Sequence, residues 1–148
     1  MSQNRFMIRN RIVLILLIGS LFSCNNLVKT NDIQVSKRKI LVDNKPYLIK
    51  GICYHPVPKG GNQRDFSTLK DDLALMVEAG INTIRVYSPI IEVPVLDEIN
   101  AAGLKVIIGF GYNQGGQFDI LSGTFIDYVN MYKSHKAILL WELGNEYN

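Results

Sequence analysis

From residue 40 onward, short apolar runs alternate with amphipathic stretches, and the alternation predicts strands and helices in turn. Ile40 to Val42 and Tyr47 to Ile49 flank the turn-rich tetrad Asp43 to Pro46, which predicts a small hairpin. Its second arm is expected to run on through Gly51 to His55 and to stop at Pro56. Leu69, Leu73, Met76 and Val77 fall at i, i+4, i+7 and i+8, a helix that Asp65 or Ser67 would cap and Gly80 would close. Ile81 to Ser88 reads as a strand stopped by Pro89. A second helix is opened by Pro94, carries Val95, Leu96, Ile99 and Ala102, and ends at Gly103. Leu104 to Phe110 is nearly all apolar, as strands covered on both faces are. A third helix with Leu121, Phe125, Tyr128, Val129 and Tyr132 on one stripe follows, and Ala137 to Leu143 is a fourth strand. Such a succession with short connections predicts right-handed βαβ units and a parallel sheet. The class is α/β, and an open doubly wound sheet and a closed barrel both remain open.

The first 39 residues follow a different pattern. Arg5, Arg9 and Arg11 precede the apolar run Ile12 to Ile18, which reads as an export signal. Even with Phe22 included, the apolar stretch is short of the roughly 20 residues a permanent spanning helix needs. Leu21 to Cys24 (LFSC) resembles a bacterial lipobox, in which the cysteine is lipidated and becomes the mature N-terminus. Residues 1–23 are therefore expected to be a signal peptide, Cys24 the lipidation site and residues 24–39 a polar tether, with residues 40–148 the folded domain. An ordinary signal peptide cleaved near Ser23 and an uncleaved anchor are the alternatives. The expected location is the bacterial cell envelope, with the membrane reached through the N-terminal lipid.

Composition narrows the choices further. A 148-residue chain that is 47% hydrophobic and 20% charged has enough apolar material for a core. The net charge of +3 gives no case for nucleic acid, since the three leader arginines account for all of it. With Cys24 lipidated, Cys53 is the one thiol left, and its apolar strand suggests a small buried hydrophobe rather than a nucleophile paired with His55.

In parallel α/β folds, ligands bind at the C-terminal ends of the strands. Those ends hold Tyr54 and His55, then Arg85, Tyr87 and Ser88, then Tyr112 and Asn113, then Asn145 and Glu146. Aromatic rings stack on the apolar faces of sugars, and amides and charges fix their hydroxyls. Arg85 shares a strand face with Thr83 and Tyr87. If Ile84 and Val86 meet the helices, Arg85 points to the interior and needs a carboxylate or a ligand, Glu142 being the candidate ion partner. Asn145 and Glu146 both reach the mouth only if the strand breaks near Gly144; Glu146, half-sequestered there, would suit a general acid, against the alternative of a solvated loop. Gly109, Gly111 and Gly115 are misplaced for a dinucleotide loop. His55 and His135 lack companions at metal-ligand spacing, and His135 reads as a helix C-terminal cap. No cofactor and no metal are expected.

Three segments carry a resemblance. Lys50 to Pro56 (KGICYHP), Ala79 to Ser88 (AGINTIRVYS) and Trp141 to Glu146 (WELGNE), in this order, resemble the N-terminal half of a retaining glycoside hydrolase of clan A, as in the barrel domain of family 2 and families 5, 17 and 72. The resemblance implies a partial (β/α)8 TIM barrel of strands one to four and three helices behind a short β-hairpin. It implies Glu146 as acid/base, Asn145 on the sugar 2-hydroxyl, Arg85 supporting the nucleophile, and Tyr54, His55, Tyr87 and Tyr112 lining the glycone side. The substrate would be a β-linked oligo- or polysaccharide cleaved by double displacement. The family's nucleophile is a Glu at the end of strand seven, so this chain is expected to be inactive alone, its partner a missing C-terminal half barrel. The alternatives are a non-catalytic carbohydrate-binding envelope lipoprotein and a β-glucanosyltransferase fragment.

Overall fold

The computed structural model describes residues 32–111 and 117–144. The leader, Cys24, Tyr112, Asn145 and Glu146 therefore lie outside the described residues.

The described residues open with a three-stranded antiparallel meander, β1 (Ile33–Ser36), β2 (Lys39–Val42) and β3 (Lys45–Tyr47). The expected hairpin is the β2–β3 pair, in which Leu41 faces Pro46. Asp43 and Asn44 take positive φ values of 50° and 62°, as a two-residue turn matched to strand twist requires. β1 lies within the segment expected to be tether. It pairs Ile33 with Val42 and Ser36 with Lys39, and its residues after Ile33 are exposed, so it owes its order to backbone pairing rather than to burial.

The second arm does not run on into the next strand. Asn82 takes over the intervening backbone: its Nδ2 donates to Leu48 O at 2.8 Å and its Oδ1 accepts from Lys50 N at 2.8 Å. The chain then enters a parallel sheet in the order β4 (Gly51–Cys53), β5 (Thr83–Val86), β6 (Lys105–Phe110) and β7 (Ile138–Leu143). The intervening helices are α1 (Leu69–Glu78), α2 (Val93–Ala101) and α3 (Phe125–Tyr132). The arrangement among the described residues is a partial TIM-barrel-like sheet of four parallel strands with three helices, preceded by the short antiparallel meander that contains the expected hairpin.

Alternation along the strands decides which face meets the helices. Ile84, Val86, Val106 and Ile108 are at most 1% exposed and pack with Leu69, Leu73, Leu96, Ile99 and Tyr128. Each such side chain contributes about 1.5–3 kcal/mol by leaving water. Phe110 stacks on Trp141, their ring centroids 5.9 Å apart, and meets Tyr128 edge-on. Pro94 lies in the first turn of α2, which begins at Val93, and Gly103 (φ 80°) and Gly80 (φ 76°) follow the ends of α2 and α1, as their positions suggest.

Helix starts differ from expectation. Thr68 is the N-cap of α1, but its hydroxyl bonds the Asp72 carboxylate, while Asp65 Oδ1 accepts from Ser67 N. α3 begins at Phe125, and Leu121 stands exposed in the preceding turn. Asp119 lies in that turn too, buried, its Oδ2 accepting from Ser122 N. His135 follows α3, where its Nε2 lies 3.2 Å from Asp97 Oδ1 and its Nδ1 accepts from Ala137 N.

Candidate active site

The strand register brings one set of polar side chains onto the face away from the helices. Cys53 pairs with Arg85, Arg85 with Ile107, and Gly109 with Glu142. Partners in a parallel register project to the same side. Arg85 on β5 thus shares a face with Glu142 on β7, with β6 between them. Its Nε donates to Glu142 Oε2 at 2.6 Å and its Nη2 to Oε1 at 2.7 Å, a bidentate pair. The two side chains are 22% and 28% exposed. Glu142 is the partner that the cost of an interior guanidinium calls for, and its hydrogen bonds push the Arg85 pKa further above its ordinary value.

The pair can span β6 because Gly109 stands beneath it. A Cβ at Gly109 would lie 3.0 Å from Val86 O and 3.4 Å from Glu142 Oε2. On its other side Arg85 carries Tyr87, whose ring centroid is 4.4 Å from the guanidinium carbon. Its Nη1 reaches Cys53 Sγ at 3.7 Å. Together these residues form a planar cation neutralised on one edge and roofed by an aromatic ring.

The residues expected on the glycone side divide. Tyr87 is exposed beside Arg85. His55 is exposed just beyond β4. Tyr54 turns the other way, a departure from the expectation. It is 8% exposed, packs with Phe66, and donates its hydroxyl to Asp72 Oδ2 at 2.7 Å. Burial, aided by that carboxylate, pushes its phenol pKa well up. Cys53 is a correction in the opposite sense: it is exposed, not a buried hydrophobe. Both follow from register, because a strand that gives Cys53 to the Arg85 face gives Tyr54 to the helices.

β7 ends at Leu143, and Gly144 has φ 94°, the break expected ahead of Asn145 and Glu146. Those two and Tyr112 lie outside the described residues. A cavity of about 270 Å³ opens at the strand ends among Arg64, Tyr87, Glu92 and Phe118. A larger one of about 710 Å³ lies on the outer helices between α1 and α2, lined by Leu73, Val77 and Ala101, away from the polar strand ends. Chemistry rather than size marks the smaller one. Among the described residues no cluster of three or more His, Cys, Asp or Glu could hold a metal, and no helix is long and apolar enough to cross a membrane.

The model of glycosyl hydrolases family 2, TIM barrel domain, matches residues 33–148. The chain belongs to this family. Solved structures of similar fold include Faecalibacterium prausnitzii β-glucuronidase, at 22% identity and TM-score 0.60, matching 80% of this chain and 22% of that one. The family 2 β-galacturonidase of Eisenbergiella tayi bound to galacturonate gives 23% identity and TM-score 0.62 over 78% of this chain and 22% of its own. A β-glycosidase from Bacteroides vulgatus gives 24% and 0.62 over 78% and 17%. This chain therefore spans about a fifth of the length of these proteins. No curated protein matches it. The Arg85–Glu142–Tyr87 group lies toward the C-terminal ends of β5 and β7, on the face away from the helices. Sequence reasoning missed Gly109 as the gap in β6; its pairing with Glu142 becomes visible only once the register is known.

Proposed function

We propose that this chain carries the acid/base side of a retaining β-glycosidase site. Glu146 is the acid/base, Asn145 bonds the 2-hydroxyl, and Tyr87 and Tyr112 offer rings to the sugar. Arg85, held by its bidentate pair with Glu142, supports the nucleophile. A second carboxylate from the rest of the barrel attacks the anomeric carbon as Glu146 protonates the departing oxygen. Water then displaces that carboxylate and gives its proton to Glu146, the two carboxyls standing about 5–5.5 Å apart.

The observation that carries this reading is the end of β7. Strand alternation would send Asn145 and Glu146 to opposite faces, and the left-handed Gly144 at the strand's end interrupts that alternation directly before them. The similar solved proteins named as β-glucuronidase, β-galacturonidase and β-glycosidase favour a β-linked substrate. Given p-nitrophenyl β-glycosides, including a β-glucuronide and a β-galacturonide, the complete enzyme should release the β anomer first, as seen by proton NMR. First release of the α anomer, or no hydrolysis of any β-glycoside, would overturn the reading.

The same protein is proposed to be a lipid-anchored envelope enzyme, held through Cys24 behind the basic and apolar leader. Cells fed a labelled fatty acid should label the wild-type chain and leave Cys24→Ala unlabelled. A wild-type chain without label counts against the anchor.

A further inference from the structure

From Tyr87 to Glu92 the chain runs between β5 and α2 without regular structure. Carbonyls in such surface segments ordinarily bond to water. Here four successive ones accept from side chains of other segments. Arg64 donates Nη1–H to Ser88 O at 2.8 Å and Nη2–H to Pro89 O at 2.6 Å. Tyr128 Oη donates to Ile90 O at 2.6 Å, and Tyr132 Oη to Ile91 O at 2.8 Å. Arg64 comes from the loop after β4 and the two tyrosines from α3, so the segment is held from both neighbours.

An arginine is a costly way to satisfy two neutral carbonyls. Burial pulls the Arg64 pKa below its ordinary value, an effect that Glu92 partly offsets, and its guanidinium lies 5.0 Å from the centre of the Phe66 ring. What the clamp secures is the residue just before it. Tyr87 is 44% exposed, so packing does not fix it, yet its ring sits over Arg85.

We propose that Arg64 is a positioning residue for the candidate sugar site, holding the Ser88–Ile91 segment with Tyr128 and Tyr132 so that Tyr87 stays over Arg85. The inference rests on reading that face as the sugar site, and the role it gives Arg64 runs through Tyr87. An aromatic platform set in place beforehand spares the ordering cost that a mobile one incurs on binding.

Cys53 reports on the platform without any substrate. Hydrogen bonds from Tyr87 and then Arg85 pull its thiol pKa down, against its slight burial and the Glu142 charge. Within residues 1–148, Cys24→Ser leaves Cys53 as the remaining cysteine, and the pH dependence of its alkylation by iodoacetamide, followed by mass spectrometry on the peptide that carries Cys53, reads it alone. Arg64→Met should raise the alkylation midpoint by on the order of half a pH unit as Tyr87 comes loose. Arg64→Lys, which keeps one donor, should recover part of that shift. Tyr132→Phe, which removes only the Ile91 contact, should move the midpoint the same way by less, and it stands in if Arg64→Met fails to fold. An unchanged midpoint in folded Arg64→Met, or in Tyr132→Phe where it stands in, overturns the proposal. In the complete enzyme Arg64→Met should raise KM more than it lowers kcat, and a loss confined to kcat would contradict a binding platform. Failure of the glycosidase reading would show instead as absent hydrolysis in every variant, with the thiol measurement unaffected.

Discussion

Glu146→Gln in the complete enzyme is expected to lower kcat/KM on glycosides with alkyl or sugar leaving groups by roughly 10²–10⁴-fold, the range for loss of a positioned general acid. A dinitrophenyl glycoside should behave differently. Its leaving group departs without a proton, so kcat/KM, which reports the first displacement, should fall little. The second displacement still needs Glu146 to take a proton from water, so kcat on the same substrate should drop as the glycosyl-enzyme accumulates. Azide needs no general base, so adding it should restore turnover and give the β-glycosyl azide, an outcome of two inversions. Equal losses on both substrate types, with no azide rescue, would remove Glu146 from the acid/base role. Glutamine keeps the size and hydrogen-bonding reach of the side chain, so the comparison isolates the proton.

The strands β5, β6 and β7 were legible in the sequence because their helix-facing positions are buried, which leaves apolar runs bounded by Gly and Pro. β1 was not, since its exposed Gln34, Val35 and Ser36 carry no burial signal and only pairing with β2 makes them a strand. The Arg85–Glu142 pair could be anticipated, because an interior guanidinium demands a carboxylate and few candidates share its face. The exchange of roles between Cys53 and Tyr54 could not. It depends on whether β4 meets β5 with Cys53 or Tyr54 opposite Arg85, a one-residue choice of register that flips every side chain. The clamp on Ser88–Ile91 is harder still to read. Its donors lie 24 to 41 residues from their acceptors, and backbone carbonyls look alike in every sequence. A hydrophobic pattern records burial; it holds no trace of which carbonyl a tyrosine hydroxyl will reach.

Glu142→Ala should be the most damaging substitution for stability on the polar face of the sheet. It removes both acceptors of a bidentate pair and leaves Arg85, 22% exposed, facing β6 without its carboxylate. Hydrogen bonds to charged groups contribute about 1.5–3 kcal/mol, and the partial solvent access of both side chains keeps the total near that range rather than twice it. A loss of about 2–3 kcal/mol is therefore expected in urea unfolding of this chain. Glu142→Gln retains one carbonyl acceptor for the guanidinium and should cost less. Gly109→Val attacks the same pair from below: the first added carbon already lies 3.0 Å from Val86 O, and further methyls would press on Glu142. Overpacking of this kind costs roughly 1–3 kcal/mol. The two losses should not add, because once Glu142 is gone part of the space that the valine needs is vacant. Additive losses would mean that Gly109 serves the backbone contact with Val86 alone. A Glu142→Ala variant within about 0.5 kcal/mol of wild type would mean that water already carries the Arg85 charge, and the pair would then matter to the site only through the orientation it gives the guanidinium.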